Sequence, residues 1–126
     1  MKRSWIGFFL LIVLLIIALV SASTMEKIHG EAAQKLERAA RYALQENWTG
    51  AAFTLADVRS QWEKWECFRC AFADHGPTEE VEALFSSLEV YGASREKVAF
   101  AAVCRQAASA MKAIGQAHSL NLTNLL

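Results

Sequence analysis

The sequence predicts an all-α protein, in which an N-terminal transmembrane helix precedes a small up-down helical bundle. An uninterrupted apolar run from Trp5 to Ala22 is the first reason for this expectation. The second is composition: good helix formers are abundant, while 126 residues contain only 1 Pro and 6 Gly. The third is that apolar residues recur every three or four positions from residue 23 onward, which is the helical period.

Residues 5–22 form the predicted anchor, preceded by a basic start at residues 1–4 that contains Lys2 and Arg3. As a helix the run would be about 27 Å long, close to the ~30 Å of a hydrocarbon core. A cleaved signal peptide also has a basic start, and Val20-Ser21-Ala22 loosely fits a cleavage site. Because the apolar run exceeds the usual signal-peptide length of about 7–15 residues, a retained anchor is favoured.

The flanking charges give conflicting indications of orientation. Lys2 and Arg3 favour an N-terminus inside the cell. The opposite orientation is favoured by basic residues on the other flank: Lys27, Lys35, Arg38 and Arg41. We expect the N-terminus inside, because export machinery reads a short basic start before an apolar run as a signal. Residues 23–126, too few for two domains, are then one bundle domain outside the membrane.

The first bundle helix is predicted from residue 23 to about residue 46, either as a separate helix or as a continuation of the anchor. A corner follows, where Asn47 or Thr49 suits an N-cap. The second helix is expected to run to about His75, which would lie in its last turn. Gly76-Pro77 would then end this helix.

Two further helices complete the predicted bundle. Thr78 is the expected cap of the third helix, and the fourth covers about residues 95–118. Residues 119–126 alternate between polar and apolar side chains and are expected to pack as an extended tail. Short connections between long helices favour antiparallel neighbours, which is the reason for expecting an up-down arrangement.

The three cysteines are candidates for thiol or metal chemistry. Cys67 and Cys70 form a C-x-x-C, but it falls in the middle of a predicted helix with no βαβ pattern around it. With His75 and Cys104 the pair would complete a Cys₃His zinc set. An odd cysteine also allows a disulfide-linked homodimer. Free Cys is most often a small buried hydrophobe, so we expect no metal or cofactor.

Three aromatic residues, Trp48, Phe53 and Phe68, lie off the main apolar stripe and are predicted to form an exposed surface for a partner or for the membrane. Asp74 beside His75 suggests an acid–base pair, but termination of the helix explains both residues better. Nucleic-acid binding is not expected, because 13 basic and 13 acidic residues leave no positive excess.

Several landmarks follow the basic start and the apolar span in a fixed order: Asn47-Trp48, Ala51 or Ala52, Leu55, Trp62, Phe72-Ala73-Asp74-His75, Leu84, Leu88 and the C-terminal run 121–126. The order and spacing of these landmarks resemble the bacterial family catalogued as domain of unknown function 4363. The resemblance implies a short protein, mainly of Gram-positive bacteria, with one N-terminal membrane segment and no assigned activity. The chain departs from the family at Gly76-Pro77-Thr78 and in having three cysteines.

These observations predict a non-enzymatic protein that binds or assists a partner at the bacterial envelope. It would cross the cytoplasmic membrane once through residues 5–22, contacting lipid there, with its C-terminal domain outside. One alternative is a thiol- or zinc-dependent envelope protein using Cys67, Cys70 and Cys104. Another is a secreted helical domain that binds a small ligand after cleavage at Ala22.

Overall fold

The computed structural model describes the backbone of residues 2–66 and 75–125 and the side chains of residues 2–66 and 78–117. Within those ranges the chain forms helices and no strands, which confirms the all-α prediction. The helices are α1 (Lys2–Leu44), α2 (Trp48–Lys64), α3 (His75–Ala93) and α4 (Lys97–Leu125).

Helix α1 joins the apolar N-terminal run to the first helix of the bundle without a break. No residue from 2 to 20 is buried, whereas Ala22, Met25 and His29 are. By length and composition α1 can cross a membrane, a test that a signal sequence also passes. Beyond residue 21, its buried positions recur every three or four residues, as expected for one helix face against a core.

The centre of the bundle is the antiparallel pair of α1 and α4, which make the most extensive helix contact. Lys97 reaches Glu46 at one end of this pair, and Gly115 lies against Glu26 toward the other. Alanines fill much of the interface, so the two backbones approach closely. The buried alanines are Ala32, Ala33, Ala39, Ala40 and Ala43 of α1 and Ala101, Ala107 and Ala108 of α4.

The remaining helices flank this pair: α2 packs on α1 and α3 packs on α4, while α2 and α3 barely touch. Larger side chains such as Leu36, Leu88 and Phe100 fill the core, and burying each stabilises the fold by about 1.5–3 kcal/mol. A 2.7 Å ion pair joins Lys35 of α1 to Asp57 of α2. Because it is partly exposed, this pair contributes at most about 1 kcal/mol.

The end predicted for the second helix is wrong. Helix α2 ends at Lys64, and His75 is the first residue of α3 instead of a last-turn residue of α2. Pro77 therefore lies in the first turn of α3, where proline is tolerated because the amides of that turn have no helical partner. Thr78 lies inside α3 and is not its cap.

The extended tail expected at residues 119–126 is also wrong, because α4 continues as a helix to Leu125. An extended segment needs an external partner for each backbone amide and carbonyl, whereas a helix pairs these groups within itself. The alternation of polar and apolar residues in this run therefore does not decide its conformation.

Candidate functional site

A groove of about 510 Å³ lies between α2 and α3, where these helices leave the bundle open. Buried side chains of Phe85, Leu88 and Phe100 contribute its apolar lining. Its volume falls in the range of about 300–1,000 Å³ that is typical of binding sites in proteins. The groove is therefore the candidate functional site of the described part of the chain.

Trp48 forms one wall of the groove and is only half-buried. Its ring meets that of Phe100 edge to face, with centroids 5.5 Å apart and planes at 80°. Trp48 is also the first residue of α2, whose N-cap Asn47 accepts a hydrogen bond from the Gly50 amide at 3.0 Å. The cap and the aromatic contact together fix the start of α2 against the core.

Charged side chains lie at the two ends of the groove. At one end Arg59 of α2 forms an ion pair with Glu89 of α3. The Nε atom of Arg59 also lies 3.5 Å from Oε1 of Glu63. At the other end Arg95, in the turn between α3 and α4, is exposed and has no ion-pair partner among the described side chains. The Arg95 backbone is left-handed, with φ of 55°. The positive charge of Arg59 at one end of the groove is thus paired with carboxylates, whereas the positive charge of Arg95 at the other end has no partner among the described side chains.

The structure separates the aromatic residues that the sequence grouped into one surface. Trp48 lines the groove and packs on the core, whereas Phe53 is 78% exposed and does not line the groove. Five helical positions place the two side chains about 140° apart around α2, which accounts for the difference. Phe68 lies outside the described residues.

Of the residues proposed for thiol or zinc chemistry, Cys67, Cys70 and the side chain of His75 lie outside the described residues. Cys104 is a free thiol, fully buried in the core. Burial raises the pKa of the Cys104 thiol to about 12, which disfavours the thiolate needed for nucleophilic attack or metal binding. Among the side chains that the structure describes, no three that bind metals come together.

His29, which sequence reasoning did not single out, is a buried residue of α1. Its Nδ1 lies 2.7 Å from the Met25 carbonyl oxygen, and because a carbonyl only accepts, Nδ1 donates the hydrogen bond. The ring meets Trp62 edge to face at 6.2 Å. Its place among the apolar positions of α1, four residues after Met25, was the sequence signal for burial.

Other groove residues that sequence reasoning missed are Arg59, Glu89, Gly92 and Arg95. In the sequence each looks like an ordinary surface or turn residue. Their juxtaposition depends on the gap between α2 and α3, for which no local pattern gives a signal.

The model of the family described as "Domain of unknown function (DUF4363)" matches residues 19–125. No curated protein and no solved structure matches the chain. The match covers the bundle part of α1 and the whole of α2, α3 and α4, and leaves out most of the apolar N-terminal run. The similarity is therefore a property of the helical bundle, and the chain belongs to the DUF4363 family.

Proposed function

We propose that the protein is a non-enzymatic accessory protein, anchored in a bacterial cytoplasmic membrane by residues 5–22, whose bundle binds a partner protein at the envelope. The observation that carries the proposal is the unburied apolar part of α1. Its exposed side chains include Trp5 (77%), Phe9 (65%) and Leu14 (62%). In water such a surface is unfavourable by about 25 cal/mol per Å², and a bilayer removes this penalty.

The continuity of α1 supports a role in positioning the bundle. A helix is stiffer than a flexible linker, and here the same helix that leaves the membrane contributes the central face of the bundle. The bundle is therefore held close to the membrane at a defined height. Such an arrangement suits a protein that meets a neighbour within the membrane or envelope.

The groove supports contact with a partner as the task of the bundle. Its lining is largely apolar, with charged groups confined to its ends. Exposed apolar surface bordered by charge is typical of sites at which proteins bind one another. The orientation that we propose, with the N-terminus inside, depends on Lys2 and Arg3.

Extraction of native membranes at alkaline pH, followed by N-terminal sequencing, tests the anchor. We expect the full-length chain to stay in the membrane pellet and to begin at or near Met1. Replacing Leu11 and Ile16 with Arg should release the protein, because charges near the centre of a bilayer are unfavourable by about 2.5–3.5 kcal/mol each. Replacing the exposed bundle residues Glu96 and Gln106 with Arg is the matched control and should change nothing.

A mature chain that starts at Ser23 and is found in the soluble fraction would overturn the anchor and favour the secreted alternative. Orientation is tested with a C-terminal phosphatase that is active only outside the cytoplasm. We expect activity from this fusion, and none from the same fusion when Lys2 and Arg3 are moved to the other end of the apolar run. The reverse result would place the bundle inside the cell.

A further inference from the structure

The groove is long enough to bind a helix, and the side chains along its two sides are small enough to let a helix approach. From Trp48 to Arg59 it follows α2 for about three turns, or roughly 17 Å. Small residues, Ala52 and Ala56 on α2 and Gly92 on α3, line its walls. Small side chains at such positions let the ridge of another helix settle between the two walls.

Each of the two helices that border the groove also carries a large exposed apolar side chain that does not line the groove. Phe53 on α2 is 78% exposed and Val90 on α3 is 64% exposed. At 100° per residue, each is turned by roughly 120° from the groove-lining direction of its helix, toward solvent. A small molecule or a single helix confined to the groove would cover neither side chain, so this exposed apolar surface favours a macromolecule whose other segments extend over the walls.

The charges in the groove favour an acidic group on that macromolecule. Arg59 is already neutralised by Glu89, whereas Arg95 has no ion-pair partner in the described part of the chain. A guanidinium binds a carboxylate through two parallel hydrogen bonds, which fixes orientation as well as adding affinity.

We propose that the groove between α2 and α3 binds an amphipathic helix of the partner protein and that an Asp or Glu of this helix pairs with Arg95. The inference rests on the proposed function and names the chemistry of the partner. The bound helix would present apolar residues at i, i+3 or i+4, and i+7 to the groove, which is how helices dock in apolar grooves. It would complete the face that α2 and α3 leave open.

Photocrosslinking in native membranes tests the proposal with the full-length chain. Benzoylphenylalanine replaces Ala93, an exposed residue of α3 that lines the groove, and the crosslinked peptide is sequenced by mass spectrometry. We expect a segment of another protein with apolar residues at helical spacing and an acidic residue at one end. A second probe at Val98, which is 71% exposed and does not line the groove, reports partner contact elsewhere on the bundle.

Two sets of variants, one of size and one of charge, assign the crosslink to the groove. Ala56→Trp fills the groove and should lower the yield at position 93 at least tenfold, while Ala102→Trp, at an exposed position of α4 outside the groove, should leave it unchanged. Arg95→Glu should lower the yield and Arg95→Lys should partly preserve it. Arg105→Glu, also exposed on α4 and outside the groove, is the matched charge control.

The helix proposal is overturned if the position-93 probe captures lipid, a second copy of this chain, or a peptide without helical apolar spacing. It is also overturned if Ala56→Trp and Ala102→Trp give equal yields. A partner captured at Val98 but not at Ala93 would leave the proposed function standing and remove the groove from it. Absence of any protein crosslink at both positions would count against both.

Discussion

Two glycines of the bundle differ in what surrounds them. A Cβ atom built on Gly115 of α4 would lie 3.2 Å from the Cβ of His29 and 3.3 Å from the Cα of Glu26 in α1. A Cβ built on Gly30 would meet nothing within 4 Å. Gly115 therefore marks a close approach of α4 to α1 that any side chain would oppose, whereas Gly30 only weakens its helix.

We expect the two Gly→Ala substitutions to change stability in opposite directions. Gly115→Ala should lower the free energy of unfolding by about 1–3 kcal/mol, because the contact includes backbone that cannot move aside locally. Gly30→Ala should raise it by up to about 1 kcal/mol, because Ala is the better helix former. Urea unfolding of both variants in detergent checks this. Equal effects would show that α1 and α4 are not as close at Gly115 as the structure has them.

The Cys104 thiol has a pKa raised by burial from its ordinary value of 9.0 to about 12. The folded state therefore favours the neutral thiol. This preference contributes fully to the free energy of unfolding below about pH 9. As pH rises from 9 toward 12 the unfolded chain ionises first, so the free energy of unfolding should fall. Since other groups also titrate there, the measurement compares unfolding at pH 8 and pH 10.5 with the Cys104→Ala variant, whose decline should be smaller.

At the scale of single elements, the N-cap residue Asn47 sets the position at which α2 begins. Asn47 accepts the Gly50 amide, and a Cβ on Gly50 would lie 3.0 Å from Asn47 Nδ2 and 3.2 Å from Tyr42 Cδ1. The cap is thus held tightly against the end of α1. The sequence identified this corner correctly because capping is a local interaction.

Removing the cap should loosen α2 specifically. Asn47→Ala is expected to lower stability by about 1 kcal/mol, because the Gly50 amide loses its acceptor. Asn47→Asp keeps an acceptor oxygen and should be close to neutral. Hydrogen exchange at Gly50 is the direct measurement: faster exchange in the Ala variant alone is expected. Similar exchange in both variants would mean that the Asn47 side chain does not hold the start of α2.

The start of α3 shows where local signals were ambiguous. The sequence pattern predicts that Gly76-Pro77 ends a preceding helix, yet it lies in the first turn of α3. Proline is compatible with both positions, since its missing amide is harmless just after a helix and within the first turn of one. The sequence marks a boundary here but does not say on which side the helix lies.

At the scale of the whole molecule, the described core begins at Ala22, and the 20 residues that precede Ser21 contribute no buried residue in the part that the structure describes. The apolar run and the first helix of the bundle are thus parts of one helix with different surroundings. Folding of the bundle should not require the apolar run.

We therefore expect a chain that lacks residues 1–20 to leave the membrane fraction and remain folded. Its thermal midpoint should match that of the bundle in the full-length protein, because no buried side chain is removed. Circular dichroism of the purified fragment checks this, with a chain that lacks residues 1–36 as the control. The control removes Met25, His29 and Leu36 and should not fold cooperatively. Loss of folding in the shorter deletion would show that the apolar run is part of the core.

The sequence by itself determined that the chain is helical and that an apolar run lies at its start. Both properties follow from composition and from spacing over a few residues, which are local. Tertiary structure alone decided that α2 and α3 stay apart, that Arg95 ends a groove, and that Gly115 meets His29. These features depend on which faces of distant helices touch. The physical reason is that an apolar stripe specifies that a face is buried without specifying the helix against which it packs.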